Sequence, residues 1–360
     1  MKAMLLAAGT GERMRPLTRL VPKPATPVLG RPIAVQILQR LAVHGVTSAV
    51  VNLHHLPDQM KSLLGDGKTI GLGGIHYSHE TSILGTGGGI EKAAPHLRGA
   101  GSILVHNADF LSDIDVRANL SHHRSSESLV TLILAPARAG YTPIEVDEGG
   151  RVLSIGGRPE ADPDRVAGRY MFTGCHILDD EVLDRIPPGR PSNIIQDVYL
   201  GLVEEGRVAC RIHSGFWQEF GTPADYLDGS LRLLDLSREE LDGIAQTDPI
   251  VELDGARAAV GLAADFHAGV ILHGRVALGS ACMVAEGTYL EDTIVMPGAW
   301  VGPGSRLQRV IVAPNTEIPA GFELASALVC PDTDPGADLA PGIHRRGRLL
   351  VRPLGPAPDP

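Results

Sequence analysis

From Val260 onward an apolar residue returns at every sixth position, at Phe266, Leu272, Leu278, Val284 and Leu290. The frame then slips by one, continues through Val295, Val301 and Leu307, slips again, and runs on through Val312, Ile318 and Leu324. Glycine, alanine and proline fill the positions between, as in Met296-Pro297-Gly298-Ala299-Trp300-Val301-Gly302-Pro303-Gly304. A period of six held this long predicts a parallel β-helix, in which each coil stacks on the next. The repeat also accounts for part of the 43 glycines and 27 prolines.

The pattern begins after residue 245. With 360 residues there is room for a second, larger unit ahead of it. The predicted division is a first domain over 1–245, a β-helix over 246–330 and a proline-rich tail over 331–360. The tail carries Arg345, Arg346 and Arg348 and is expected to be extended, either wrapping a neighbour or staying without order. Repeat domains of this kind sometimes carry acyltransferase activity with a histidine base, for which His267 and His273 are the candidates. One histidine per coil is unremarkable by chance, so oligomerisation or packing against the first domain is the preferred role.

Charge narrows the partners. The chain has 32 basic and 42 acidic residues, a net charge of −10. That disfavours nucleic acid and leaves room for a local basic pocket. No apolar run approaches the roughly 18 residues of a membrane span. The N-terminal apolar run is too short, and too soon followed by Gly9 and Arg13, to be a signal peptide. Cys175, Cys210, Cys282 and Cys330 form no Cys-x-x-Cys pair, which reads as reduced thiols in a cytoplasmic protein.

The first thirty residues carry the chemistry. Residues 3–8 are an apolar run long enough for one buried strand, and it stops at Gly9-Thr10-Gly11. Two glycines two apart let the backbone turn sharply and bring amide N–H groups close to a ligand. Arg13 and Arg15 follow, then Lys23 between Pro22 and Pro24, on a segment too proline-rich for regular helix. Stiffly mounted cations after a glycine turn suit a polyphosphate. Met14 stands where a Rossmann fingerprint needs its third glycine, and no P-loop motif occurs.

Taken whole, Leu6-Ala7-Ala8-Gly9-Thr10-Gly11-Glu12-Arg13-Met14-Arg15-Pro16-Leu17-Thr18 with Pro22-Lys23-Pro24 closely resembles the signature of sugar-1-phosphate nucleotidyltransferases. The resemblance implies an α/β domain built on a Rossmann-like open mixed sheet, and makes the β-helix that follows left-handed. It implies that Leu6, Ala7, Ala8, Gly9, Thr10, Gly11 and Glu12 bind the nucleotide, and that Arg13 and Lys23 are catalytic. The substrates implied are a nucleoside triphosphate and a sugar 1-phosphate, with Mg²⁺ as cofactor and a homo-oligomer assembled through the β-helix.

The rest of the first domain can be followed in order. Residues 32–45 predict a helix ending at Gly45, and 49–53 a second strand. His54 and His55 are adjacent, a poor chelate, and read as loop. After a short helix (58–64) and a third strand (75–78) comes Leu84-Gly85-Thr86-Gly87-Gly88-Gly89, leading into a helical stretch over 90–97. Glycines opening a helix favour anions and bare-backbone contacts, and the resemblance makes Thr86, Gly87 and Gly88 base contacts.

Residues 102–106 form another apolar run, ending in Asn107-Ala108-Asp109. A carboxylate at the C-terminal end of a parallel strand lies where open α/β sheets bind ligands, and the resemblance assigns Asp109 to Mg²⁺. Asp113 and Asp115 read as supporting or solvated groups. A strand over 129–135 and a hairpin over 144–155 follow. Arg158 stands in Gly157-Arg158-Pro159 where many relatives have Glu-Lys-Pro. Glu145, Arg158, Thr173 and Gly174 are the sugar-phosphate candidates. Phe172 replaces the asparagine common beside Gly174, as in the subgroup that uridylates N-acetylmuramate 1-phosphate.

Residues 194–200 predict an amphipathic helix. Trp217-Gln218-Glu219-Phe220-Gly221-Thr222 then resembles a Trp-x-Asp-x-Gly-Thr motif whose aspartate is the second Mg²⁺ ligand, so Glu219 is the second metal candidate, one methylene longer. A helix over 223–236 closes the domain.

The expected reaction is nucleotidyl transfer. The alternative is a non-catalytic paralogue that binds sugar nucleotides. For the base, the Leu-Ala-Ala-Gly wording with Ala8 tips the reading slightly toward uridylyl transfer, while the Leu-Gly-Thr-x-Gly loop and the appended β-helix resemble mannose-1-phosphate guanylyltransferases and keep GTP open.

Overall fold

The computed structural model describes residues 1–355. Its first strand, Lys2–Leu6, lies between two parallel neighbours, Ser48–Leu53 and Ser102–Asn107. Ala3, Met4 and Leu5 are fully buried, as expected of a parallel strand covered on both faces. The sheet runs, from one edge, Val152–Ile155, Pro143–Val146, Gly168–Asp179, Ser102–Asn107, Lys2–Leu6, Ser48–Leu53 and Ile75–His79. Val130–Pro136 also pairs with Gly168–Asp179, and Val208–Ile212 pairs with Val130–Pro136. Gly168–Asp179 runs antiparallel to Ser102–Asn107, so the sheet is open and mixed, as the family resemblance implies.

The helices follow the apolar periodicity. Ile33–Val43 buries Ile33, Ala34, Ile37, Leu38 and Leu41, and its chain turns away at Gly45 with φ +92°. The helix expected from residue 90 starts earlier, spanning Gly85–Leu97. The glycines are therefore its first turn rather than a loop ahead of it. The helix expected over 194–200 is a π-turn, Ile195–Tyr199, continuing as Leu200–Glu204.

By internal contacts the chain divides into two units. One holds residues 1–10 and 37–217; the other holds 11–36 and everything from 218 on. The second thus takes in the signature loop as well as the repeat. A link is visible in the Pro223–Arg232 helix, which is capped by a reciprocal Thr222–Asp225 box and whose Tyr226 hydroxyl donates to the Pro27 carbonyl. It is tied to the repeat strands by Arg309 on Asp228 at 2.9 Å, and Arg275 reaches Asp235 just beyond it at 3.0 Å.

In that unit Ala256–Val260, Ile271–Leu278, Tyr289–Val295, Arg306–Val312 and Glu323–Pro331 stack in parallel. A second ladder joins the short strands Asp265–Phe266, Met283–Val284, Trp300–Val301 and Glu317–Ile318. Leu272 pairs with Leu290, Leu290 with Leu307, and Leu307 with Leu324, so coils advance by 18, 17 and 17 residues. Leu272, Leu278, Val284, Leu290, Val295, Val301, Leu307, Val312 and Ile318 form the core. Phe266 does not join them: it is exposed, a correction to the repeat as read from sequence.

The frame slips have a structural cause. Gly274, Asp292, Arg309 and Ser326 occupy equivalent places in successive coils and all have φ between +43° and +64°. Between the first two of these coils, Gly274 and Arg275 stand opposite Asp292 alone, a bulge in which Asp292 Oδ1 accepts from the Arg275 N–H at 3.0 Å. Later coils dispense with the extra residue.

The tail is not free. Leu349–Pro353 pairs antiparallel with the last coil strand, Glu323–Pro331, and His344–Arg346 pairs on it in turn. The remainder of the tail, residues 356–360, lies outside the described residues. The four cysteines are unpaired and buried, and no helix among the described residues is long and apolar enough to cross a membrane.

Candidate active site

The first strand ends where the candidate nucleotide residues begin. Leu6 is half-buried, Ala7 and Ala8 are buried, and Gly9 emerges at the surface. The Ala7 N–H donates to Asn52 Oδ1 at 2.7 Å, and Asn52 Nδ2 donates to Glu80 Oε1 at 2.7 Å. Glu80 Oε2 accepts from the Leu84 N–H at 2.9 Å. One buried polar chain thus joins the end of the signature strand to the entry of the glycine-rich helix. Asn52 is 2% and Glu80 1% exposed, so each group there needs its partner.

That helix uses its glycines for close packing. A Cβ on Gly87 would meet Ser192 Oγ at 2.6 Å, one on Gly88 the Arg190 carbonyl at 2.9 Å, and one on Gly89 Asn52 Nδ2 at 2.7 Å. The Gly87 N–H donates to the Ser192 carbonyl, and Thr86 Oγ1 accepts from the Ile194 N–H. Thr86 and Gly87, expected to touch a base, are engaged by the Ser192–Ile194 segment.

Asp109 sits half-buried just past the end of Ser102–Asn107, where the Ala108 N–H donates to the Leu6 carbonyl. The carboxylate is thereby held beside the end of the signature strand. His106 stacks on Phe110, and burial pushes its pKa down to about 4. Asp115 is a helix cap, accepting from the Ala118 N–H at 3.0 Å. Asp113 lies 3.0 Å from His213 Nε2.

The sugar-phosphate candidates fall into two kinds. Thr173 is buried, with its hydroxyl donating to the Ile133 carbonyl. Gly174, at φ +88°, leaves no room for a Cβ beside Asn107 Nδ2 at 2.6 Å. Both hold the sheet together at the bulge of Gly168–Asp179. Glu145 pairs with Arg169 at 2.9 Å, and Arg158 is exposed with its guanidinium on Gln196 Oε1.

In the other unit the signature loop folds on itself. Gly11, with φ +64°, has no room for a Cβ, which would lie 2.7 Å from Thr18 Cγ2. Thr18 Oγ1 donates to the Gly11 carbonyl at 2.8 Å. Met14, Leu17 and Pro24 are buried anchors. Glu12 and Arg13 between them stay exposed, with Glu12 on Arg15 at 3.1 Å. Lys23 opens a single 3₁₀ turn, Lys23–Ala25, after Pro22, and its Cβ lies 3.4 Å from the place a Gly11 Cβ would take. Arg13 reaches Glu219 Oε1 at 3.1 Å across 206 residues. Sequence reasoning named these two separately, as phosphate ligand and metal ligand; the structure makes them partners.

Among the described residues no cluster of three or more His, Cys, Asp or Glu forms a ready metal cage. Mg²⁺ needs none, since it is commonly held by one or two carboxylates together with substrate phosphates. The hard oxygens of Asp109 and Glu219 suit that ion.

Three further residues escaped the sequence reading. Asn52 and Glu80 carried a usable signal, a polar residue inside an apolar strand and an acid at the end of another. Arg352, whose guanidinium NH1 donates to the Arg13 carbonyl at 2.9 Å and also to the Arg15 carbonyl, had none.

The nucleotidyl transferase family model matches residues 2–235. A mannose-1-phosphate guanylyltransferase of Mycobacterium tuberculosis is 33% identical over 307 residues, covering 83% of this chain and 80% of its own. A UTP–glucose-1-phosphate uridylyltransferase of Synechocystis is 27% identical, covering 84% of each. Among solved structures, a Bacillus anthracis protein provisionally assigned as a glucose-1-phosphate thymidylyltransferase matches with a TM-score of 0.58. It is 20% identical and covers 67% of this chain and 99% of its own.

Proposed function

The chain belongs to the nucleotidyl transferase family, and on that premise we propose that it makes an NDP-sugar from a nucleoside triphosphate and a sugar 1-phosphate. A phosphate oxygen of the sugar 1-phosphate attacks the α-phosphorus in line. The bond from that phosphorus to the bridging oxygen breaks, and pyrophosphate leaves with the electron pair. No covalent enzyme intermediate is needed, so the residues position groups and neutralise charge. The observation that carries this reading is the Arg13–Glu219 pair. It holds an exposed guanidinium in a fixed direction beside a glycine turn whose amides suit phosphates.

Within this reading Arg13 takes the β- and γ-phosphates and Lys23 the α-phosphate and the incoming phosphate. Asp109 and Glu219 are the carboxylates offered to Mg²⁺, which when bound supplies positive charge to the phosphate oxygens. GTP is the proposed nucleotide, supported by the guanylyltransferase relative matched over most of both chains. UTP is the second reading, favoured by Ala8 and by the Synechocystis relative. We also propose that the parallel-strand region assembles copies of the chain and that the enzyme works in the cytoplasm.

The test is pyrophosphate release with Mg²⁺ over four nucleoside triphosphates and a panel of sugar 1-phosphates. Turnover with GTP is expected. Nucleotide binding without turnover for any pair overturns the catalytic reading in favour of a sugar-nucleotide-binding regulator.

A further inference from the structure

Arg13 is held at both ends. Its guanidinium meets Glu219 Oε1 at 3.1 Å, and its carbonyl accepts from Arg352 NH1 at 2.9 Å. The same nitrogen donates to the carbonyl of Arg15. Arg352 comes from the far end of the chain, 339 residues from Arg13, on the strand Leu349–Pro353. That strand is well fixed. It pairs with Glu323–Pro331 from Pro353 to Leu349, Leu349, Leu350 and Val351 are buried, and the Leu354 N–H donates to the Ser326 carbonyl.

The loop it grips is poorly supported by its own backbone. Between Gly11 and Pro16 the short-range bonds are Met14 N–H to the Gly11 carbonyl and Arg15 N–H to the Glu12 carbonyl, the closures of a single 3₁₀ turn, Glu12–Met14. Such a turn is weak alone. The Arg13 and Arg15 carbonyls flank Met14, so one guanidinium nitrogen on both fixes the peptide plane that follows Arg13 and the one that follows Arg15, and pins the turn from which Arg13 projects. Burial holds the Arg352 pKa below its usual value, and a desolvated guanidinium of this kind is expected to be engaged rather than solvated.

We propose that Arg352 is a positioning residue for the nucleotide-binding loop, so that the terminal strand of the repeat region sets the direction of Arg13 and with it the affinity for the triphosphate. The inference rests on the nucleotidyl-transfer reading for its kinetic consequence, but its structural core does not. Both bonds leave one nitrogen whose two hydrogens are fixed in the guanidinium plane, whereas a lysine ammonium is a rotating point donor on a shorter side chain, so lysine is not an adequate substitute.

The experiment compares the full-length protein with Arg352→Ala and Arg352→Lys. Hydrogen exchange at the Met14 and Arg15 amides is read first, since it needs no turnover. Faster exchange confined to residues 11–16, with an unchanged melting temperature, is expected. In kinetics the KM for the triphosphate is expected to rise, and kcat/KM to fall roughly ten- to a hundredfold, with the KM for the sugar 1-phosphate unmoved. Added guanidinium ion is expected to restore part of the activity of Arg352→Ala and none of that of Arg352→Lys. Unchanged exchange at residues 11–16 overturns the inference, whatever the enzyme does. So does a loss shared equally by both substrates and accompanied by a lower melting temperature, which is a folding defect. Absence of turnover in the unmodified protein counts against the reaction, leaving the exchange result to decide Arg352.

Discussion

Glu219 and Arg13 lie 206 residues apart in sequence, yet Glu219 Oε1 sits 3.1 Å from the Arg13 guanidinium. The arginine is mostly exposed, at 65%, and the glutamate is not, at 19%. A carboxylate seated in the protein therefore aims a cation that otherwise faces solvent. An ion pair this open contributes about 1 kcal/mol or less to stability, so the direction it imposes matters more than its strength.

Arg13→Ala is accordingly expected to leave the melting temperature nearly unchanged and to lower kcat/KM about a hundredfold. Glu219→Gln is expected to lower it as well, by releasing Arg13 and by removing a carboxylate from Mg²⁺. If the two act as a unit, the double variant loses less than the product of the single losses. A double-mutant cycle in kcat/KM checks this, and strictly multiplicative losses would show that the pair is incidental.

Lys23 starts a one-turn helix between two prolines, and its stem packs beside the left-handed Gly11. The prolines restrict the backbone before and after it, so the ammonium is delivered from a stiff mount. Lys23→Ala is expected to fold normally and to lose on the order of a hundredfold or more in turnover. Near-normal turnover of the purified variant is incompatible with the role proposed for it.

The regular parts of this fold were legible because they repeat. The six-residue period marked the coils, and even its slips mapped onto a real feature, the left-handed positions Gly274, Asp292, Arg309 and Ser326. The first strand was legible because its apolar run ends at glycines. What sequence could not give was pairing at long range. It named Arg13 and Glu219 but not their contact, and it read residues 349–353 as tail because prolines nearby hide a strand that exists only by pairing with Glu323–Pro331. The glycines of the Gly85–Leu97 helix carry a packing role that sequence did not show: Gly87 to Gly89 leave no room for a Cβ beside Ser192, Arg190 and Asn52.

Asn52 offers a test of the buried chain from Ala7 to Leu84. It accepts from the Ala7 N–H and donates to Glu80, at 2.7 Å each. Asn52→Leu keeps the volume and removes both bonds, leaving a buried amide and a carboxylate short of partners. The expected cost is about 3 kcal/mol, a fall of roughly 5–10 °C in melting temperature. Calorimetry checks this, and a variant as stable as the parent would mean the chain is dispensable.

His176 makes stability depend on pH in a stated direction. It is 1% exposed, its ring meets Tyr199 edge-on at 5.4 Å, and neither ring nitrogen has a hydrogen-bond partner among the described residues. Burial pushes its pKa down to about 3, and that of His106 to about 4. The unfolded chain takes up protons at these histidines from about pH 6.5 downward, while the folded protein resists until much lower pH. The unfolded state therefore binds more protons in that window, so stability is full above about pH 6.5 and declines as the pH falls toward 4 and 3. Each pH step of one across that window costs about 1.4 kcal/mol per histidine, so the loss reaches several kcal/mol. His176→Phe keeps an aromatic ring against Tyr199 and removes the titration. Its melting temperature is expected to match the parent near pH 8 and to exceed it increasingly below pH 6. Since other acid-sensitive groups are common to both proteins, the difference between the two curves isolates this ring, and curves that stay parallel down to pH 4 would remove His176 from the account of acid instability.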